Sequence, residues 1–143
     1  MKVQSILAKK GSAVATIAQQ ATIQEAARRM NMANIGALIV TEGERVVGIL
    51  TNRDIVRAVS SQGWRMSYLL VSEAMRTDFV AIAPDDSIKQ VMALMITRRV
   101  THMPVMVGKR LAGIVSIGDV VEHRVEELEF ETGVLRDAYI AVH

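Results

Sequence analysis

The sequence predicts an α+β fold in which two β-α-β-β-α repeats pack about a pseudo-twofold axis and a helical extension follows. The first observation is an internal repeat, because a shift of 65 positions carries Gly43 onto Gly108 and superimposes most of the 143-residue chain on itself without a gap. The pattern G-x-x-x-x-G-I-[LV]-[TS]-x-x-D then coincides in both copies, ending at Asp54 and Asp119. The second observation is that each copy contains a helical apolar stripe and a pair of apolar runs around a glycine turn.

Each repeat opens with a short apolar stretch that predicts a β-strand, Val14–Ile17 in the first copy and Phe79–Ile82 in the second. Thr22 and Ser87 follow as the expected N-caps of a helix. The apolar residues after each cap recur at i, i+3, i+4 and i+7, which is the stripe of an amphipathic helix. They are Ile23, Ala26, Ala27 and Met30 in the first copy and Ile88, Val91, Met92 and Met95 in the second.

Two apolar runs separated by a glycine-containing turn come next and predict a β-hairpin in each repeat. The runs are Ala37–Val40 and Val46–Leu50 in the first copy, and Met103–Val107 and Leu111–Val115 in the second. A further helix is expected to begin near Asn52 and near Ile117. Neither repeat is large enough to bury its apolar faces alone, so we expect the two repeats to pack against each other.

We assign residues 1–62 to the first repeat, 63–122 to the second and 123–143 to the helical extension. Gln62–Ser72 connects the repeats, with Gly63 as the helix terminator. The extension carries a heptad-like series of apolar positions that Thr132 interrupts, and Gly133 is an expected break in its helix. The series is Val121, Val125, Leu128, Thr132, Leu135 and Tyr139. This seam either lies on the chain's own domain or contacts the same helix of a second subunit.

The composition excludes several classes of protein. A formal net charge of +2, from 17 basic and 15 acidic residues, argues against a nucleic-acid partner. The pairs Arg28-Arg29 and Arg98-Arg99 are expected on solvated helix faces. The absence of cysteine excludes disulfides and thiolate metal sites and fits a reducing compartment. No apolar run approaches the roughly 18 residues of a membrane span, so we expect a cytoplasmic protein with no membrane partner.

The repeated motif supports two interpretations of its hydroxyl and aspartate. Thr51 with Asp54, and Ser116 with Asp119, have the spacing of a capping box at a helix start. A carboxylate there can also accept hydrogen bonds from ribose hydroxyls, while the helix N-terminus attracts anions. The two roles are compatible. A nucleoside-triphosphatase phosphate loop is excluded, because it needs a lysine where Ile49 follows the second glycine.

The doubled motif and the segment Thr101-His102-Met103-Pro104-Val105 resemble a tandem pair of cystathionine-β-synthase (CBS) domains, from about Val3 to Glu122. The resemblance implies a disc-like regulatory module that binds an adenosine-containing ligand such as AMP, ADP, ATP, NAD, NADH or S-adenosylmethionine between the copies. It also implies a homodimer joined through helices of both copies.

The resemblance further implies two nucleotide-binding sites, assigned by position. One comprises Thr16, Ile17, Ala37, Leu38, Thr51, Arg53 and Asp54. The other comprises Ala81, Ile82, His102, Met103, Pro104, Ser116 and Asp119. The sites are expected to be unequal, because the phosphate-binding guanidinium of Arg53 is matched by Gly118 and Pro104 is matched by Ile39. Lys9-Lys10-Gly11 is expected to be a solvated opening loop, with reach to a phosphate as the alternative.

No residue pattern indicates catalysis. The three histidines lack metal-ligand spacing, and no nucleophile has a base and an orienting acid nearby in the sequence. His102 is expected to line a cleft or to pack in the core. The leading hypothesis is therefore a ligand-sensing module, without catalytic cofactor or metal, that signals through dimer or partner contacts. The alternatives are a structural dimerisation module without ligand, a regulatory subunit of a separately encoded enzyme or transporter, and an enzyme acting on nucleotides or using NAD.

Overall fold

The protein folds as the predicted pair of α+β repeats with a C-terminal helix. A computed structural model describes residues 1–142, with the side chains of 134–139 and 142 outside the description. The elements in order are α1 (Val3–Lys10), β1 (Thr16–Ala18), α2 (Ile23–Ala33), β2 (Ala37–Glu42), β3 (Arg45–Thr51), α3 (Asn52–Gln62), a 3-10 helix (Gly63–Tyr68), α4 (Val71–Ala74), α5 (Ile88–Arg98), β4 (His102–Val107), β5 (Arg110–Ser116) and α6 (Ile117–Val142).

The local signals predicted the element boundaries well. The hydroxyl of Thr22 accepts a hydrogen bond from the Glu25 amide at 3.2 Å, and Ser87 caps α5 in the same way. The hairpin turns contain Gly43 and Gly108, with φ of 61° and 60°, a backbone conformation that glycine adopts without steric cost. The predicted hairpins and N-caps are thus confirmed.

The first strand of the second repeat was predicted over Phe79–Ile82, and that prediction is wrong. In the first repeat, β1 pairs with β2 in parallel, and the amides of Ile39 and Gln19 hold its two ends. The positions that correspond to those two amides are Pro104 and Pro84, which have no N–H to donate. Only the isolated bridge between Ile82 and Val105 remains in the second repeat.

The segment that precedes each repeat packs on the other repeat. The Val3 amide donates to Asp86 O, and Val3 and Ile6 are fully buried in the core of the second repeat. The Val71 amide donates to Ala21 O, and Val71 is buried in the core of the first repeat. Because α1 is a helix through Lys10, the prediction of a loop at Lys9-Lys10-Gly11 is wrong for the two lysines, although both are exposed as expected.

A third apolar cluster joins the two repeats. Ala37, Ile39 and Ile49 of the first sheet are buried, and Leu111 and Ile114 of the second sheet pack against them. Burial of these faces stabilises the pair as one unit, because each sheet covers the apolar face that the other sheet would expose on its own. The clefts described below open at the edges of this contact.

Helix α6 continues without interruption through Gly133, so the predicted break does not occur. Val120 and His123 face the domain and are buried, whereas Val121, Val125 and Leu128 are exposed. The described part of the seam therefore does not lie on its own domain, and the seam side chains of Leu135 and Tyr139 lie outside the described residues. Within residues 1–142, none of the helices combines the length and the apolar character that crossing a membrane requires.

Candidate ligand-binding clefts

Two clefts lie between the repeats, each at the start of the helix that follows a hairpin. We name the first the arginine cleft, because its walls include the residues Arg53, Arg57, Arg76, Arg98 and Arg99. We name the second the lysine cleft, because Lys10 is the one lysine or arginine among the residues found to line it. The 65-residue repeat relates the two, so that Thr51 of the first corresponds to Ser116 of the second.

The predicted capping box at the start of α3 is confirmed. Oδ2 of Asp54 accepts hydrogen bonds from the Thr51 amide at 2.9 Å and the Thr51 hydroxyl at 3.1 Å. Oδ1 accepts from Nη1 of Arg57 at 3.1 Å, and Nε of Arg76 lies 4.0 Å away. The carboxylate is only 3% exposed, so these contacts compensate a negative charge that burial would otherwise disfavour.

The start of α6, beside the lysine cleft, has a similar cap, but Lys10 takes the place of the two arginines. Oδ2 of Asp119 accepts from the Ser116 amide at 2.9 Å, and the Asp119 amide donates to the Ser116 hydroxyl at 3.1 Å. Nζ of Lys10 also contacts Oδ2 at 2.7 Å and donates to Ile114 O at 3.1 Å. Desolvation opposes ionisation of Asp119, but the hydrogen bonds from Lys10 and Ser116 outweigh it and lower the pKa of the carboxyl.

The structure groups the expected site residues across the repeats, whereas the sequence assigned each site to one repeat. In the arginine cleft, Thr51, Arg53 and Asp54 face Val80 and His102 of the second repeat. In the lysine cleft, Ser116 shares the walls with Ala15, Ala37 and, again, His102. The cause is the pseudo-twofold packing, which places the helix start of one repeat opposite the opening segment of the other repeat.

Several expected site residues do not line either cleft. The side chains of five are buried, namely Ile17, Leu38, Ile82, Met103 and Pro104. Thr16 and Ala81 are exposed and lie outside both clefts as well. Asp119 is not among the lining residues either, but it contacts Lys10 and Ser116, which line the lysine cleft. Strand geometry explains the division, because neighbouring side chains point to opposite faces. His102 therefore faces a cleft, while Met103 enters the core.

Sequence reasoning missed four of the five arginines. Arg57 lies one turn after Arg53 on α3, a spacing of i, i+4 that could have indicated a shared face. Arg98 and Arg99, at the end of α5, are exposed as expected, and they also line the arginine cleft. Arg76 lies in the segment between α4 and α5. No local pattern joins these three segments.

The two clefts differ in charge. In the arginine cleft, five guanidinium groups against the carboxylates of Asp54 and Asp78 leave an excess of three positive charges. In the lysine cleft, Lys10 is balanced by Asp119. Among the residues that the structure describes, no group of three or more His, Asp or Glu side chains is arranged to hold a metal ion. The arginine cleft is therefore an anion-binding environment and the lysine cleft is close to neutral.

His102 forms part of the wall of both clefts. Its Nδ1 lies 2.9 Å from the Thr101 hydroxyl, and a Cβ atom placed on Gly36 would lie 3.4 Å from Cε1 and Nε2 of the ring. Gly36 thus permits the ring to stand against the opposite repeat. Desolvation, with the nearby charge of Lys10, lowers the pKa of His102 below its ordinary value, and Asp119 opposes this effect.

The lowered pKa of His102 predicts a loss of stability in mild acid. Because the unfolded chain binds this proton first as the pH falls, the free energy of unfolding decreases below about pH 6.5. His102→Gln, which cannot be protonated, is expected to show a smaller decrease between about pH 7.5 and about pH 5.5. Urea denaturation at both pH values measures the difference. An unchanged pH dependence in the variant would show that His102 does not contribute.

Comparison with known proteins agrees with this architecture. The CBS domain model matches residues 9–61 and 71–126. CBS domain-containing protein YhcV of Bacillus subtilis (strain 168) is 39% identical over 106 residues, which cover 74% of this chain and 75% of the relative. The crystal structure of the CBS-domain containing protein ATU1752 from Agrobacterium tumefaciens is 40% identical, with a TM-score of 0.84 over 87% of this chain and 99% of that chain.

A more distant structure shares the fold alone. The CBS domain pair of protein MJ0100, in complex with 5'-methylthioadenosine and S-adenosyl-L-methionine, is 24% identical, with a TM-score of 0.78. The similarity covers 89% of this chain and 98% of that chain. The two matched segments span more than half of the sequence and coincide with the two structural repeats. The chain therefore belongs to the CBS domain family and consists of a CBS pair with a C-terminal helix.

Proposed function

We propose that this CBS pair is a regulatory module that binds an adenine nucleotide, of the AMP, ATP or NAD type, in the clefts between its repeats. The observation that carries the proposal is the cluster of five arginines around the N-terminus of α3. Guanidinium groups and helix N-termini both bind phosphate oxygens, and the two occur together here. The adenosine-containing ligands of the MJ0100 pair support the choice of adenosine as the ligand class.

Asp54 keeps capacity for a ligand despite its burial. A carboxylate offers about four acceptor positions, and the contacts from Thr51 and Arg57 occupy three of them. In our proposal a ribose hydroxyl takes the remaining position on Oδ1. The purine packs on the apolar walls that Val80 and Val100 provide, and the phosphates reach the arginines.

The output of the module follows from binding that differs between two states of an assembly. Val121, Val125 and Leu128 form an exposed apolar stripe on α6, with exposed fractions of 44–47%. We propose that a second copy of the chain covers this stripe, so that the protein is a homodimer whose geometry responds to the ligand. A regulated protein partner would read the same change. We propose no catalytic step for the module.

Calorimetric titration with AMP, ATP, NAD and NADH tests the proposal. We expect at least one of them to bind with a Kd below about 1 mM and to raise the Tm, because a ligand of the folded state stabilises it. Arg53→Ala is expected to weaken that binding by about tenfold or more, since it removes a charged donor. Arg28→Ala, at an exposed position of α2 outside both clefts, is the matched control and should leave the affinity unchanged.

Failure of all four nucleotides to bind at about 10 mM would contradict the proposal. The exposed stripe of α6 would then favour the alternative of a structural dimerisation module that works without a ligand. Sedimentation velocity with and without the bound nucleotide reports the proposed change in the assembly.

A further inference from the structure

We propose that the two clefts take different classes of ligand. The arginine cleft takes a nucleotide with two or more phosphates, and the lysine cleft takes an uncharged nucleoside. This inference rests on the proposed function, because it assigns ligands to the same two clefts.

The arginine cleft carries more positive charge than one phosphate group can compensate. Its excess is three charges, whereas a terminal phosphate carries about −1.5 to −2 near neutral pH. Arg57 is committed to Asp54, but the guanidinium groups of Arg53, Arg98 and Arg99 have no acceptor or acidic partner among the described residues. These three exposed groups come from opposite walls of the cleft. In our proposal a chain of phosphates contacts both walls, so that more than one phosphate group shares the excess charge.

The lysine cleft has lost the corresponding arginines. All five arginine positions are occupied in the other repeat by uncharged or acidic residues. By the 65-residue repeat, the five arginines correspond in order to Gly118, Glu122, Gly11, Ala33 and Asn34. Lys10 remains, and its charge is already paired with Asp119 at 2.7 Å. A phosphate in this cleft would have to compete with that pair, whereas an uncharged ligand leaves it intact.

Lys10 is held in place by the contacts of α1 with α6. Lys9 forms ion pairs with Glu122 at 3.1 Å and Glu126 at 2.9 Å. The apolar side of α1 is anchored by the complete burial of Val3 and Ile6. The backbone of Lys10 is therefore held beside the start of α6, and its ammonium contacts both Oδ2 of Asp119 and O of Ile114.

A nucleoside still finds polar partners beside this pair. Oδ2 of Asp119 is occupied by Lys10 and Ser116, but Oδ1 accepts no hydrogen bond within the part of the chain that the structure describes. A ribose hydroxyl can donate to Oδ1 without displacing Lys10. Val14, Ile35 and Ile114 supply apolar surface for a base. In our proposal the Asp119 carboxylate at the edge of the cleft and these apolar walls together hold a ligand that has hydroxyl groups and a base but no phosphate.

The experiment measures ATP, AMP and adenosine binding by calorimetry. We expect ATP to bind one site per chain at least about tenfold more tightly than AMP, with an affinity that falls as salt is added. Adenosine should still bind the ATP-saturated protein, and salt should change its affinity little. Equal affinities of ATP and AMP, or competition of ATP with all of the adenosine bound, would overturn the inference.

Two sets of substitutions assign each ligand to its cleft. Arg98→Ala combined with Arg99→Asn introduces the residues of the other repeat, where Asn34 adopts the same left-handed backbone, with φ of 53° against 54°. This double variant should weaken ATP at least about tenfold and leave adenosine unchanged. Asp119→Asn should weaken adenosine about fivefold or more and leave ATP unchanged. Asp85→Asn, the same change at an exposed carboxylate outside both clefts, is the matched control and should alter neither ligand.

The outcomes separate this inference from the proposed function. If no adenosine compound binds the wild-type chain, both fail. If nucleotides bind but the double variant and Asp119→Asn weaken ATP and adenosine equally, the proposed function stands and the assignment of ligand classes is wrong.

Discussion

Replacement of Met103 by alanine is expected to lower the free energy of unfolding by about 2–5 kcal/mol. Met103 is fully buried in β4, where it packs in the core of the second repeat with Ile88 and Met95. Truncation removes apolar contacts and leaves a cavity, because the close-packed neighbours relax only in part. Urea denaturation of the wild type and the variant measures the loss. The expected effect is among the largest that one substitution in this chain can produce.

The same substitution at Met32 is the matched control. Met32 is 78% exposed on α2, so Met32→Ala is expected to change the free energy of unfolding by no more than about 0.5 kcal/mol. The comparison also tests whether Met103 belongs to the core or, as the sequence suggested, to a ligand site. A Met103→Ala variant that keeps its stability and loses nucleotide affinity would show that Met103 belongs to the ligand site and not to the core.

Gly48→Ala is expected to lower the free energy of unfolding by about 1–3 kcal/mol, because it overpacks a close approach of two segments. A Cβ atom at this position would lie 2.7 Å from Sδ of Met75 and 2.8 Å from O of Arg76. That carbonyl accepts a hydrogen bond from the Ile49 amide at 3.0 Å, and the Arg76 amide donates to Ile49 O at 2.9 Å. The Met75–Arg76 segment is thus hydrogen-bonded to β3 and cannot move away without loss of these two bonds.

Gly113, the corresponding residue of the second repeat, provides the control. Its Cβ atom would lie 2.6 Å from Cδ2 of Leu7, which is the end of a flexible side chain. Leu7 can rotate where a bonded carbonyl cannot, so Gly113→Ala should destabilise the protein less than Gly48→Ala. Thermal and urea unfolding of both variants give the comparison. Equal losses of stability in the two variants would contradict the role assigned to the backbone of Met75 and Arg76.

Predictions from the sequence succeeded where the cause is local. The caps at Thr22 and Ser87, and the turns at Gly43 and Gly108, depend on interactions among residues a few positions apart. The hairpin runs could be identified for the same reason. The missing strand of the second repeat could also have been anticipated, because Pro84 and Pro104 remove the amides that such a strand would need.

Predictions failed where the cause lies in the exchange of segments between the repeats. The sequence predicts a loop at Lys9 and Lys10, the end of α1, because the apolar partners of this helix, such as Ile88 and Met103, lie in the other repeat. The uninterrupted course of α6 through Gly133 has a different cause. A glycine destabilises a helix by only about 1 kcal/mol, and the rest of the helix can compensate for that loss. Neither fact is visible in a window of neighbouring residues.

The candidate site shows the same division at the level of single side chains. The sequence was sufficient to identify the capping pair Thr51 and Asp54, because both residues belong to one helix start. Which residues surround that pair depends on the packing of the repeats. Arg98 and His102, from the second half of the chain, line the same cleft as this pair. Lys10, from the first helix, contacts Asp119. Backbone propensities determine where a helix begins, whereas the charge of a cleft depends on which distant segments the buried apolar contacts bring together.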